Sequence, residues 1–271
     1  MKRIDPKFVL IILSFIYLFL YYDLAQGGII RLQIQTHVKL KDNKMDIGIN
    51  IKNLGDVGAF NLRCHLFLEE KELISHNLER LDPGKSHLFK FKKALTYKTA
   101  GRYPLMLRVD YEDGNGYPFS ALSAMTFKYR IDAPSDIEIT GKNLLIEKDG
   151  ILKFKAKNLR DFPITLKAFL FLPKELSADS PYKRLTLQPK KTVNLNFKVI
   201  NFSAREGSLY PVFCILEYDK ASIHHTVISK SLITIKKEEP FFKKTKWFWE
   251  VALIVILLIV VIYEIKRRLS I

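Results

Sequence analysis

The middle of this 271-residue chain is written twice. Lys52-Asn53-Leu54 followed by Asp56 recurs as Lys157-Asn158-Leu159 followed by Asp161. Leu81-Asp82-Pro83-Gly84-Lys85-Ser86 recurs as Leu187-Gln188-Pro189-Lys190-Lys191-Thr192, and Gly101-Arg102-Tyr103-Pro104 as Gly207-Ser208-Leu209-Tyr210-Pro211. Val109-Asp110-Tyr111 returns as Leu216-Glu217-Tyr218. The offset grows only from 105 to 107 residues, so the copies keep register apart from small loop insertions. Four landmarks in one order require a tandem pair of similar units. That limits the architecture far more than the activity.

Within each copy the pattern alternates with period two. Met45, Ile47, Ile49 and Ile51 share one face of a segment whose other face carries Asp46, Gly48, Asn50 and Lys52. The second copy sets Leu152, Phe154 and Ala156 against Lys153, Lys155 and Lys157. Strands with one buried and one wet face read this way. Six or seven strands are expected per copy, near 30–40, 45–53, 60–69, 72–79, 86–93, 103–112 and 117–130, then 136–147, 151–158, 164–173, 192–200, 209–218 and 223–236. Asn53 to Gly58, Asp82-Pro83-Gly84 and Asp113-Gly114-Asn115-Gly116 supply turn residues between them. Short strands at this spacing in a unit of about 100 residues predict an all-β fold, two tandem immunoglobulin-like β-sandwiches spanning 29–131 and 136–236. The short link Asp132-Ala133-Pro134-Ser135 predicts a restricted relative orientation.

A strand ending Ile49-Asn50-Ile51-Lys52-Asn53-Leu54-Gly55, then Ala59-Phe60 and the Leu81 to Ser86 turn, resembles the bacterial and archaeal CARDB and NEW3 families of immunoglobulin-like domains. The resemblance covers both copies and implies an extracytoplasmic module used as a spacer, adhesion or accessory unit. It brings no catalytic residues. The second copy departs from it at the turn, where Arg160 and Lys190 replace glycines.

Hydrophobic segments flank the repeats. Lys2, Arg3 and Lys7 precede the apolar run from Phe8 to Tyr22, and Ala25-Gln26-Gly27 offers small residues for cleavage before Gly28. Residues 1–27 are therefore expected to be a signal peptide, with retention as an N-terminal anchor helix the alternative. Residues 247–265 are long enough, at 1.5 Å per residue, to cross a bilayer core of about 30 Å. Trp247, Phe248 and Trp249 provide an aromatic belt at one end and Lys266-Arg267-Arg268 a basic flank at the other. A C-terminal transmembrane helix is expected at 247–265, above it a charged stalk at 237–246, and beyond it a cytoplasmic tail at 266–271. Both copies are then extracytoplasmic, on a single-pass protein of the cell membrane.

The chain carries a formal charge of +16, of which about +14 stays on the repeats once three basic residues and two acids at each end are set aside. Such a field attracts polyanions or anionic lipid surfaces in a salt-dependent way. Lysines spread along strands also serve simply as solvated faces and blunted edges. The two cysteines, Cys64 and Cys214, fall on the apolar positions of their strands, which predicts buried free thiols in separate cores. The repeat aligns Cys64 with Phe169 and Cys214 with Leu107.

Residues with chemical potential do not assemble into a motif. His37, His65, His76, His87, His224 and His225 lack metal-ligand spacing, and the adjacent His224 and His225 must point to opposite faces of a strand. They are expected on the surface. Asp110-Tyr111-Glu112-Asp113-Gly114-Asn115-Gly116 is rich in oxygen ligands but lacks the spacing of a calcium loop, and a hairpin turn accounts for it. No nucleophile elbow, phosphate loop or dinucleotide fingerprint is present. Asn201-Phe202-Ser203 matches a glycosylation sequon. No catalytic, cofactor-binding or metal-ligating residue is nominated, no cofactor is expected, and the chain is expected not to be an enzyme. The function expected is binding or scaffolding: an accessory subunit of a transport, secretion or polysaccharide assembly, docked to an envelope membrane protein. The alternative is a binder of anionic glycan, cell-wall polymer or lipid headgroups through its basic ectodomain. The membrane is the expected partner, through the C-terminal span and, if the first segment is retained, a second one; nucleic acid is not.

Overall fold

The computed structural model describes residues 28–236 and, beyond them, only Trp247, Phe248, Val251, Val255, Ile262 and Lys266, which are helical. The expected signal or anchor at 1–27 and the stalk at 237–246 lie outside the described residues, as does all but these single positions of the expected span at 247–265 and tail at 266–271. Among the described residues no helix is long and apolar enough to cross a membrane.

Residues 28–236 are all-β. In the first half, β1 (Leu32–Lys41), β2 (Lys44–Asn53) and β6 (Ser86–Ala94) form one sheet in the order β1-β2-β6. Against it lie β3 (Ala59–Leu68), β4 (Lys71–Ile74), β5 (Leu78–Leu81), β7 (Ala100–Glu112) and β8 (Pro118–Tyr129), with β3 beside β7 and β7 beside β8. In the second half, β9 (Ile137–Gly141), β11 (Asp149–Asn158), β13 (Leu176–Ala178) and β15 (Thr192–Asn201) form a sheet in the order β13-β15-β11-β9. Its partner contains β10 (Leu144–Ile146), β12 (Ile164–Phe171), β14 (Tyr182–Leu187), β16 (Leu209–Lys220) and β17 (Ile223–Ile235), with β14-β12-β16-β17 in line. The strand order of one half therefore repeats in the other.

Alternation drives each sandwich together. Met45, Ile47, Ile49 and Ile51 of β2 are buried against Leu62, Cys64 and Leu66 of β3 and Leu105, Leu107 and Val109 of β7. Leu152, Phe154 and Ala156 of β11 meet Leu166 and Ala168 of β12 and Val212, Cys214 and Leu216 of β16 in a separate core. Burying such side chains contributes about 1.5–3 kcal/mol each, so each core stands on its own sheet pair.

Several strand expectations need correction. The segment 72–79 is two short strands, β4 and β5, which pair successively with β3. The segment 136–147 also breaks in two: β9 pairs antiparallel with β11, and β10 crosses to pair in parallel with β17. The switch is held by hydrogen bonds from Ser231 Oγ to Lys142 O (2.5 Å) and from the Leu232 amide to Asn143 Oδ1 (3.0 Å). β13 and β14 had no counterpart in the sequence reading, because three residues and a Lys-Arg-bearing edge strand give little apolar signal.

The repeat alignment of Cys64 with Phe169 is also corrected. A β-bulge at Asn61 (φ 52°) inserts one residue into β3 that β12 lacks. Cys64 therefore pairs with Val109 where Ala168 pairs with Leu216, so Ala168 is its counterpart. The bulge also puts Ala59 in the core and turns Phe60 outward. Cys214 and Leu107 remain equivalent, since Leu170 pairs with one and Leu66 with the other. Both cysteines are free and buried, one in each core.

Candidate functional site

The features that distinguish this molecule from two independent sandwiches lie where the halves meet. β17 runs parallel to β7 through Ile223–Ala100 and His224–Gly101, which joins the two facing sheets into one of ten strands. Gly101 makes this approach feasible. Its φ of +151° is a region favouring glycine, and a Cβ there would lie 2.1 Å from the carbonyl oxygen of His224. Thr226 Oγ1 adds a hydrogen bond to Arg102 O at 2.8 Å. Beside this backbone seam, Leu122, Phe213 and Ile215 are buried together with Met106, Phe169, Phe171 and Ile228. Residues of both halves thus share a third, small core.

The linker is pinned in the same region. His225 Nδ1 lies 3.0 Å from Pro134 O, and its ring stacks on Tyr218 at 4.8 Å. The Tyr218 hydroxyl accepts from the Asp136 amide at 2.6 Å. Asp136 holds Arg160 and Lys220 at 2.7 and 3.0 Å; burial pushes its carboxyl up, but these cations outweigh it and keep it below the ordinary value.

A cleft of about 770 Å³ opens at the junction, lined by Asn61, Arg63, His65, Asp110, Lys174 and Glu175 among others. Glu175 is its most unusual member, a carboxylate only 2% exposed. The Ser120 amide donates to its Oε1 and the Ser120 hydroxyl to its Oε2, each at 2.5 Å. That hydroxyl also accepts from the Lys174 amide at 3.0 Å. Burial pushes the Glu175 carboxyl above its ordinary range, opposed by the hydrogen bonds from Ser120. Ser120 is thus bound to a carboxylate with its hydroxyl engaged on both sides, an arrangement that clasps the halves rather than activates a nucleophile. Around the clasp, Asp110 pairs with Lys174, with His65 Nε2 at 3.0 Å and with Arg108 at 2.9 Å.

The residues singled out from sequence are dispersed over these contacts. Three histidines expected on the surface are not there. His225 is buried, His65 sits in the cleft between Asp110 and Glu72, and His224 lies between Glu217 (3.1 Å) and Asp219 (2.8 Å). The His224 ring stacks on Tyr103 at 4.2 Å, and Tyr103 on Tyr97 at 3.7 Å. Burial lowers the His224 pKa, but hydrogen bonds to the two carboxylates outweigh it, leaving a net rise. Opposite orientation of the two neighbours carries one to the carboxylates and the other to the linker. His76 and His87 instead pack beside Phe89, and His37 is exposed on β1. The acidic run is likewise split: Asp110 enters the ion pairs, Glu112 accepts from Asn61 Nδ2 (2.8 Å), and Asp113 Oδ1 accepts from the Asn115 and Tyr117 amides in the turn. Asp113 Oδ2 also reaches Arg205 of the other half at 3.3 Å. Among the described residues no group of three or more His, Cys, Asp or Glu is placed to hold a metal ion. Asn201 turns its amide inward to Glu147 O and Ala204 O.

Sequence reasoning missed Glu175, Ser120 and Gly101. Only Gly101 carried a signal, as a repeat landmark, and its counterpart Gly207 has φ 76° in a tight turn rather than at a seam.

No family model matches the chain, and no curated protein matches it. Among solved structures, alpha-2-macroglobulin from Escherichia coli activated by porcine elastase aligns at 10% identity over 78% of this chain and 22% of that one, with a TM-score of 0.28. The trypsin-activated form aligns at 11% identity over 76% and 18%, with a TM-score of 0.30. The native form aligns at 9% identity over 76% and 17%, with a TM-score of 0.29. The chain spans about a fifth of the length of these proteins.

Proposed function

We propose that residues 28–236 form two tandem CARDB/NEW3-like immunoglobulin modules. They act as a rigid extracytoplasmic scaffold, anchored through 247–265 and docked to a membrane protein of the cell envelope. The observation that supports this best is the seam. A continuous sheet, a shared small core and a buried carboxylate clasp fix two sandwiches as one body. Such rigidity suits a part that holds a partner at a set distance and angle, because the ordering cost of binding is already met in the free protein. The side chains at the junction are engaged with one another, which favours binding over turnover.

The test is crosslinking of the tagged full chain in native membranes, followed by mass spectrometry of what co-purifies. One stoichiometric membrane protein supports the scaffold. No protein partner in either orientation of tag overturns it.

The alternative reading, an anionic ligand held by the basic surface, is favoured by one specific observation. The outer face of the β1-β2-β6 sheet concentrates lysines that have no ion-pair partner among the described residues.

A further inference from the structure

Side chains on the outer face of β1-β2-β6 fall in rows fixed by strand register. Lys41, Lys44 and Ala94 make one row; Lys39, Asp46 and Lys92 the next; His37, Gly48 and Lys90 the third; Gln35, Asn50 and Leu88 the fourth. Rows are separated by about 6.8 Å and the flanking strands by about 9.6 Å. Between Lys44 and Lys52 the middle strand carries the short groups Asp46, Gly48 and Asn50, and beside the first two the flanking strands carry Lys39 and His37 on one side and Lys92 and Lys90 on the other. The result is a trough along β2 walled by Lys39 and His37 on one side and by Lys90 and Lys92 on the other, with Lys41 and Lys44 at its end. Five lysines surround one carboxylate, Asp46. None of the five lies within ion-pair distance of an acid among the described residues.

Gly48 is the second observation. A glycine inside a strand costs about 0.5–1 kcal/mol and marks a bulge, a bend or a close approach by another group. The pairing of β2 with both neighbours runs without a register shift, so no bulge explains it. Its φ is not positive, and a Cβ there would meet only Leu88 Cδ1 at an ordinary 3.5 Å. Neither backbone nor packing demands glycine; a low floor of the trough, with the Leu88 side chain beside it, is what it provides.

The second half has the opposite relief. There Lys153, Lys155 and Lys157 stand on the middle strand β11, between Asn194, Asn196 and Thr192 on β15 and Thr140 and Glu138 on β9. Lys153 occupies the place of Gly48. Three lysines make a ridge on the middle strand of one copy, where five surround a trough in the other.

We infer that the trough over Gly48 binds a linear phosphate-bearing polymer, laid along β2 with successive phosphates between the lysines of β1 and β6. A flat bilayer surface would meet the ridge of the second half better than a recessed floor. The inference rests on the reading that the chain acts by binding. It is independent of the membrane anchor and of any protein partner, so a failed crosslinking search leaves it standing.

The experiment measures binding of long-chain inorganic polyphosphate to the full chain in neutral detergent micelles across a salt series. Vesicles of phosphatidylglycerol are the competing probe. The expected result is a linear fall of log affinity with log salt. K90Q/K92Q should weaken binding at least tenfold and reduce the salt slope by about 1.4, at about 0.7 per lysine–phosphate contact. G48Q should weaken it comparably while leaving the charge unchanged. K153Q/K155Q should change it less than twofold. Unchanged thermal midpoints establish that the variants fold; if G48Q does not, G48S replaces it. Absence of polyphosphate binding at low salt overturns the proposal, as does equal weakening by both lysine pairs, an inert Gly48 substitution, or binding to the vesicles alone.

Discussion

Asn53 and Asn158, 105 positions apart, are buried at the same point of the two sandwiches and share three hydrogen bonds, to which Asn158 adds one to Gln188 O at 3.3 Å. Asn53 Nδ2 donates to Val57 O (2.8 Å) and Leu81 O (3.0 Å), and its Oδ1 accepts from the Gly55 amide (2.9 Å). Asn158 Nδ2 donates to Phe162 O (2.7 Å) and Leu187 O (3.2 Å), and its Oδ1 accepts from the Arg160 amide (2.9 Å). Each amide ties the end of its strand to the loop that crosses between the sheets. The asparagine of the repeated Lys-Asn-Leu is therefore a buried polar fastener within a turn.

Asn53→Ala and Asn158→Ala should each destabilise the protein by about 2–3 kcal/mol, because each leaves a buried carbonyl, of Leu81 or Leu187, and further partly buried backbone groups without their partner. Chemical denaturation measures this. A loss below about 0.5 kcal/mol at either position would show that water replaces the side chain.

Gly101→Val should open the β7–β17 seam, since the new side chain meets the His224 backbone rather than a movable side chain. A loss above about 2 kcal/mol is expected, together with faster proteolysis at Asp132 to Ser135. An unchanged cleavage rate would mean that the seam does not restrain the linker.

On mild acidification from pH 8 towards pH 5, His224 and Glu175 should each add stability while His87 removes some. The folded state holds protons on His224 and Glu175 more tightly than the unfolded chain does, as both pKa values are raised on folding. The His224 contribution is complete below its ordinary value of 6.5 and is lost as pH rises through its folded value. The Glu175 gain appears as pH falls through its folded value towards 4.5. His87 works oppositely in the same window, because burial and the neighbouring His76 lower its pKa on folding, and Asp136 works oppositely but lower, contributing above 3.8 and fading as pH falls through its depressed value. Between pH 8 and pH 5 the thermal midpoint of His224→Gln or Glu175→Gln should climb less, or fall more, than that of the wild type. Identical slopes in all three would exclude these groups.

Burial pushes both thiols up to about 12. Native protein at pH 7.5 should therefore react with a thiol reagent only at its rate of unfolding, and two thiols should react together in denaturant. Fast labelling of either in the native state would contradict the packed cores.

Much of the fold was legible because period-two alternation is local. Ile47 and Phe154 face inward wherever a strand forms through them, and the repeated turn sequences place the strand ends. The burial of Cys64 and Cys214 was legible for the same reason. The bulge at Asn61 was not, since one extra residue looks like a harmless change of offset until strand pairing counts it. Tertiary structure alone decided the rest. Gly101 matters only because His224, more than a hundred residues away, lies against it, and Glu175 becomes a clasp only when Ser120 comes within reach. The trough over Gly48 exists only once β1 and β6 flank β2 in one register. Sequence periodicity specifies which way a side chain points; which partner it meets depends on distant segments brought together by cores that many pairings would satisfy.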